Sequence, residues 1–208
     1  MIMKAKESYK FYKGCFRLVG PIIRLFRPFK AVNADVSVGG ALICANHSAM
    51  IDPFLIALAL GIGTQVHVIA KAELFKIPVI NTLLRKLGTI SVDRGALDVN
   101  SIKTTLAYLK KGEKVIIFPE GTRVRQEEVN AGVGGAAKNG AVKLAERAGV
   151  PILPVFMPRK KPFFKKTLIV FGEPYLIEKQ SVKRTADEWA RLSAELMSNI
   201  DDLEKKAQ

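Results

Sequence analysis

The chain has 208 residues, 33 of them basic and 19 acidic, for a formal net charge of +14. Its 49% hydrophobic content suffices for one sizeable core and excludes disorder as the main state, and at roughly 150 residues per domain the length favours one domain over two. The charge excess points to a polyanionic partner: nucleic acid, an anionic membrane surface or a phosphorylated substrate.

Residues 1–30 carry eight basic groups against the single acid Glu7. Within them Tyr9, Tyr12, Phe16, Val19, Ile23 and Phe26 recur at steps of three and four, an apolar helical stripe, with Lys10, Lys13, Arg17, Arg24 and Arg27 one position behind. Gly20-Pro21 interrupts the stripe. Proline is tolerated in the first turn of a helix but not in its interior, so the spacing predicts a pair of short amphipathic helices. Interleaved aromatic and basic residues suit helices lying on a membrane surface rich in anionic lipids, the alternative being a hairpin packed on the domain. The N-terminus lacks the apolar core and cleavage site of a signal peptide, and the longest apolar stretch, 53–63, is short of the ~20 residues that cross a bilayer. A peripheral protein at the cytoplasmic face of a membrane is expected. Cys15 and Cys44 are too few and too isolated for a disulfide framework or a thiolate metal site, and no metal is expected.

From residue 34 onward short apolar runs alternate with amphipathic stretches. The pattern predicts strands over 36–45, 65–70, 88–92, 114–118, 152–156 and 167–171, and helices over 53–60, 72–87, 99–111, 137–148 and 185–206. Such alternation argues for a single α/β domain with a largely parallel mixed sheet flanked by helices, preceded by the N-terminal helix pair. The glycines of 131–135 lack the spacing and lysine-hydroxyl ending of a phosphate loop. A second basic cluster, 158–166, holds Arg159, Lys160, Lys161, Lys165 and Lys166 around Phe163 and Phe164, and reads as a second membrane contact. Nucleic acid is disfavoured, because the basic groups concentrate at one terminus and one loop instead of tracking a groove.

The residues with chemical potential follow the predicted strands. His47 and Asp52 come after the first. An imidazole, with an unperturbed pKa near ~6.5, suits proton transfer at neutrality, and a carboxylate five positions on can fix its tautomer. Asp52-Pro53 also reads as the start of a helix, with aspartate as N-cap. Lys71 follows the second strand, Asp93-Arg94-Gly95 the third, and Glu120, Gly121, Thr122 and Arg123 the fourth. In an open α/β sheet these positions converge outside the carboxyl ends of the strands, where Arg94 and Arg123 can fork onto a phosphate and Lys71 supplies a point charge. Each taken singly has a plainer reading as a turn or surface residue.

Taken together and in order, Asn46-His47 with Asp52, residues 88–94, residues 118–123 and residues 150–155 resemble the four sequence blocks of the glycerolipid acyltransferases, especially the 1-acylglycerol-3-phosphate acyltransferases. Lys71 with Glu73 and Leu74, and Lys138 with Gly140 and Ala141, resemble positions between those blocks. The resemblance covers roughly residues 30–177 and departs at Ser91, where the family often has a bulkier residue, and at Ala49-Met50. It implies acyl transfer from acyl-CoA or an acyl carrier protein to the free hydroxyl of lysophosphatidate, with residues 31–208 as the catalytic domain and no cofactor beyond the thioester donor. His47 is then the base and Asp52 its orienter, while Arg94, Glu120, Gly121, Thr122, Arg123, Lys71 and Lys138 bind substrate, Glu120 suiting a glycerol hydroxyl better than a phosphate. An amide near the first block is expected to hold the oxyanion. Glycerol-3-phosphate or another lysophospholipid is the alternative acceptor. From another class, a non-enzymatic membrane-surface protein explains the basic clusters but not the co-occurrence of His47, Asp52, Arg94 and Glu120.

Overall fold

A computed structural model describes residues 5–34, 39–93, 98–132 and 135–205. Seven strands, β1 (Phe29–Val32), β2 (Ala41–Ala45), β3 (Val66–Lys71), β4 (Ile90–Val92), β5 (Lys114–Ile117), β6 (Ile152–Phe156) and β7 (Thr167–Phe171), form one sheet in the order β1-β7-β6-β2-β5-β3-β4. β2 through β6 run parallel, whereas β7 is antiparallel to β6 and parallel to β1. The mixed, largely parallel sheet expected from the sequence is the one observed.

β2 is the centre of the sheet, and its Leu42 lies in register with Val115 of β5 and Ile152 of β6. All five of its residues are buried, as a parallel strand covered on both faces requires. Alternation sends Ile43 and Ala45 toward α1 (Ala5–Phe26) and α2 (Asp52–Leu60), and Leu42 and Cys44 toward α4 (Val99–Lys110), α6 (Gly140–Ala148) and α7 (Ala186–Asp202). Cys44 is thus core packing, and burial pushes its thiol well above the ordinary range.

Several elements depart from expectation. The N-terminal pair is one continuous helix, α1, with Pro21 inside it. Pro21 is solvent-exposed, which removes one helical donor without burying the orphaned carbonyl. Gly20 is buried where α1 crosses α2, and a Cβ there would meet Leu58 at 2.9 Å. The glycine sets helix approach and makes no hinge. The helix expected over 72–87 is split into a 3-10 turn, Ala72–Lys76, and α3 (Pro78–Lys86), because Pro78 forces Ile77 into an extended conformation. The edge strand β1 and the short helix α5 (Gln126–Asn130) carry too few residues for a periodic signal. The strand expected over 36–45 is observed from Ala41, and residues 35–38 lie outside the described residues.

The aromatic stripe of α1 faces the protein over its first half: Tyr12 is 1% exposed and Phe16 is buried in the cluster that includes Leu55, Ile56 and Met157. This corrects the expectation that Tyr9, Tyr12 and Phe16 insert at a headgroup boundary. Of the stripe, Val19 and Phe26 do face outward, and they share the exposed apolar face of α1 with Leu18, Ile22 and Leu25. Among the described residues no helix is long and apolar enough to cross a membrane.

Candidate active site

β2 sits between β5 and β6, so the chain order reverses there and a crevice opens beyond the carboxyl ends of the strands. The loop leaving β2 enters that crevice. Asn46 anchors it, donating to the Met157 carbonyl at 2.7 Å and accepting from the Met157 amide at 2.9 Å. His47 follows, its Nδ1 3.0 Å from Asp52 Oδ2. The same oxygen accepts the amides of Ser48 at 2.8 Å and Ala49 at 2.9 Å. Asp52 is therefore not the N-cap of α2. It is the first helical residue, with Ile51 at the cap position, and its carboxylate turns back to tie the preceding loop. Nδ1 is held by an acceptor, so Nε2 is the nitrogen left for chemistry, and the ring lies flat against Phe118 with centroids 3.9 Å apart.

Asp52 is fully buried. Burial alone raises its pKa, but the His47 hydrogen bond, the Lys161 charge and the amides of Ala49 and Ser48 outweigh it, and the carboxyl lies below its ordinary value. Lys161 Nζ makes an ion-pair contact with Oδ1 at 3.1 Å and donates to Ser48 Oγ at 2.7 Å. Glu120 accepts the His47 amide at Oε2, at 2.7 Å, and pairs through Oε1 with Arg159. Arg159 also donates to the Val124 carbonyl at 3.0 Å, and the Val124 amide returns to the His47 carbonyl at 2.8 Å. Two buried ion pairs thus clamp both ends of the histidine loop.

These contacts revise three expectations. Glu120 does not open to a substrate hydroxyl; both its oxygens are committed beneath the loop. The amides of His47, Ser48 and Ala49 are all taken by carboxylates, leaving none of the three for an oxyanion. Arg159 and Lys161, read in sequence as surface charges of a membrane loop, are buried site residues with side chains 8% and 3% exposed. The sequence gives no signal for this, since in a run of cations nothing distinguishes the two that fold inward.

A cleft of about 240 Å³ collects His47, Met50, Lys71, Leu74, Phe118, Thr122 and Arg123. Lys71, Thr122 and Arg123 are exposed at its rim. Gly121 and Lys138 line a neighbouring, mostly apolar cavity of about 280 Å³ that shares Phe118 and is bounded by Ile69, Val92, Ile102, Ile117 and Leu144. Gly121 has φ of 71°, a left-handed conformation that suits glycine, and the Lys138 stem covers it so closely that a Cβ would lie 3.0 Å away. Arg94 lies outside the described residues. The fold thus assembles His47, Asp52, Lys71, Thr122 and Arg123 at one cleft, and adds Phe118, Ser48, Arg159 and Lys161.

Residues 30–158 match the Acyltransferase family model. Over 205 residues the chain is 31% identical to the 1-acyl-sn-glycerol-3-phosphate acyltransferase of Bacillus subtilis, covering 94% of this chain and 98% of that protein. It is 33% identical to the enzyme of that name from Borreliella burgdorferi over 62% of this chain and 49% of the relative. The crystal structure of the 1-acyl-sn-glycerophosphate acyltransferase PlsC from Thermotoga maritima superposes with a TM-score of 0.56 at 25% identity, covering 96% of this chain and 79% of that one. The imidazole–carboxylate pair at the switch point of a mixed sheet, its cleft rimmed by cations, occurs here in a chain that belongs to the acyltransferase family.

Proposed function

We propose that the protein transfers a fatty acyl group from an acyl thioester, acyl-CoA or acyl carrier protein, to the free hydroxyl of lysophosphatidate at a membrane surface, giving phosphatidate. The observation that carries this reading is the His47–Asp52 pair in a cleft whose open side holds Lys71, Thr122 and Arg123. His47 Nε2 takes the proton of the acceptor hydroxyl as its oxygen attacks the thioester carbonyl, and Asp52 balances the imidazolium. The tetrahedral oxyanion then collapses, the carbon–sulfur bond breaks, and the thiolate leaves with the proton held by His47. No nucleophilic serine or cysteine and no bound cofactor enters this scheme. Lys71 and Arg123 hold the acceptor phosphate, with Arg94 the further phosphate ligand that the family resemblance implies, and the apolar cavity beside Phe118 offers walls for an acyl chain.

Lipid substrates require the enzyme to work from the bilayer surface. α1 exposes Leu18, Ile22, Leu25 and Phe26, and at its end Phe26 adjoins the loop aromatics, the Phe26 and Phe164 rings lying 5.5 Å apart with Arg27 stacked over Phe163. Exposed Arg24, Lys30, Lys160, Lys165 and Lys166 supply cations to this patch, each bound to anionic lipid by about 1 kcal/mol near the surface. The cytoplasmic leaflet is the expected location.

An acceptor panel with purified protein, acyl-CoA and acyl carrier protein donors and product identified by mass tests the reading. Phosphatidate formation from lysophosphatidate is expected. Turnover of glycerol-3-phosphate or a zwitterionic lysophospholipid with none of lysophosphatidate assigns a different acceptor, and absence of thiol release with every acceptor removes the enzymatic reading.

A further inference from the structure

Lys161 is the one member of the 158–166 cluster whose ammonium reaches the His47–Asp52 pair. Burial pushes its pKa below the ordinary lysine range, the Asp52 charge pulls it back up, and Arg159 and Arg27 push it down again. A buried ammonium carries a desolvation cost that a merely solubilising lysine avoids by pointing outward. Its contacts say what it does in the interior. Asp52 Oδ2 already serves His47 Nδ1 and two backbone amides, while Oδ1 meets only Lys161. Ser48, whose hydroxyl accepts from Lys161 and donates to the Arg159 carbonyl at 2.9 Å, ties the lysine to the same loop.

We propose that Lys161 is a positioning residue of the transfer reaction: as the counter-charge at the second oxygen of Asp52, which has no hydrogen-bond partner of its own, it keeps the carboxylate ionised and available to His47 through the first. Without Lys161 the buried Oδ1 has no counter-charge, and the carboxylate, still held at Oδ2 by the Ser48 and Ala49 amides, takes up a proton more readily. The other charged groups around the pair are Glu120, bound to the His47 amide, Arg159 paired with Glu120, Arg27 at the end of α1, and Lys71 and Arg123 at the cleft rim. All of these persist when Lys161 is removed, so the pair then sits in a more negative environment. Both of its groups bind protons more readily there, and activity demands a higher pH.

The inference rests on His47 acting as the base, and the test separates the two. Lys161→Met and Lys161→Arg are compared with wild type in the pH profile of kcat/KM and in the titration of the His47 Cε1 proton by NMR, which needs no turnover. In Lys161→Met, kcat near neutrality falls by at least about tenfold while the KM of donor and acceptor stays within about threefold. The acid limb of the profile and the NMR midpoint of the coupled pair both move up by roughly half a unit or more. Lys161→Arg, which keeps the charge, returns the limb and midpoint toward wild type. A limb and midpoint unmoved in a folded Lys161→Met overturn the proposal and leave Lys161 a packing residue. If that variant does not fold, Lys161→Gln, which removes the charge but keeps a donor for the Ser48 hydroxyl, must move the midpoint in the same direction, and an unmoved midpoint there is equally decisive. Wild-type protein inactive toward every acceptor defeats the acyl-transfer reading and leaves the NMR result standing by itself.

Discussion

Replacing Glu120 with glutamine distinguishes a clamp from a substrate ligand. The side chain is 1% exposed and its partner Arg159 is 8% exposed, so the ion pair is almost fully removed from water. Glutamine keeps the shape and one acceptor oxygen but leaves the guanidinium without a counter-charge. Breaking a buried pair from one side costs roughly 3–5 kcal/mol, and the retained oxygen puts Glu120→Gln near the lower end, about 3 kcal/mol. For a chain of this length, at roughly 2–4 °C per kcal/mol, the melting temperature should drop by about 6–12 °C. The same change loosens the anchor on the His47 amide. A catalytic group displaced by about 1 Å loses on the order of a hundredfold in rate, so kcat should fall toward that extent with the acceptor KM nearly constant. Thermal melts followed by circular dichroism, with initial rates at varied lysophosphatidate, measure both quantities. An unchanged melting temperature with a tenfold or greater rise in acceptor KM would place Glu120 at the substrate and refute the clamp.

His47→Ala should abolish transfer with little loss of stability, since the ring lies at the cleft, 15% exposed and outside both apolar core clusters; residual turnover above a small fraction of wild type contradicts its role as base. Arg123→Ala should chiefly raise the KM of the phosphorylated acceptor, removing a charge-assisted hydrogen bond worth roughly 1.5–3 kcal/mol, and an effect confined to the donor reverses the assignment. Asp52 carries a pKa depressed by folding, so its stabilisation is full above the unfolded aspartate value near ~3.9 and is lost as pH falls through the folded one. Denaturant midpoints should therefore fall on acidification more steeply for wild type than for Asp52→Asn, and parallel curves disprove the linkage. Phe163→Ser with Phe164→Ser should weaken sedimentation with anionic vesicles while shifting stability by no more than ~0.5 kcal/mol, both rings being exposed; undiminished sedimentation rules out this patch as the membrane contact.

Much of the scaffold was written locally. β6 and β7 fall where the apolar runs place them, α2 follows Asp52-Pro53, and Thr185 opens α7 with a capping box to Glu188. The His47–Asp52 pair was also legible, because five residues across a strand end, a loop and a helix start keep the partners together whatever the rest of the chain does. Contacts between distant parts of the chain were not. Glu120 meets His47 across 73 residues, and Lys161 meets Ser48 across 113. Whether a cation in a basic run faces water or a buried carboxylate depends on which loop the sheet order brings beside it, and placing β6 next to β2 is a decision of the whole fold. The stripe on α1 shows the same division. Its 3.6-residue period predicted a helix, but the packing of Gly20 against Leu58 decided that its first aromatics are buried and that Leu18, Ile22 and Leu25 meet the solvent. Periodicity reports that a face is apolar, and only the tertiary partner determines what covers it.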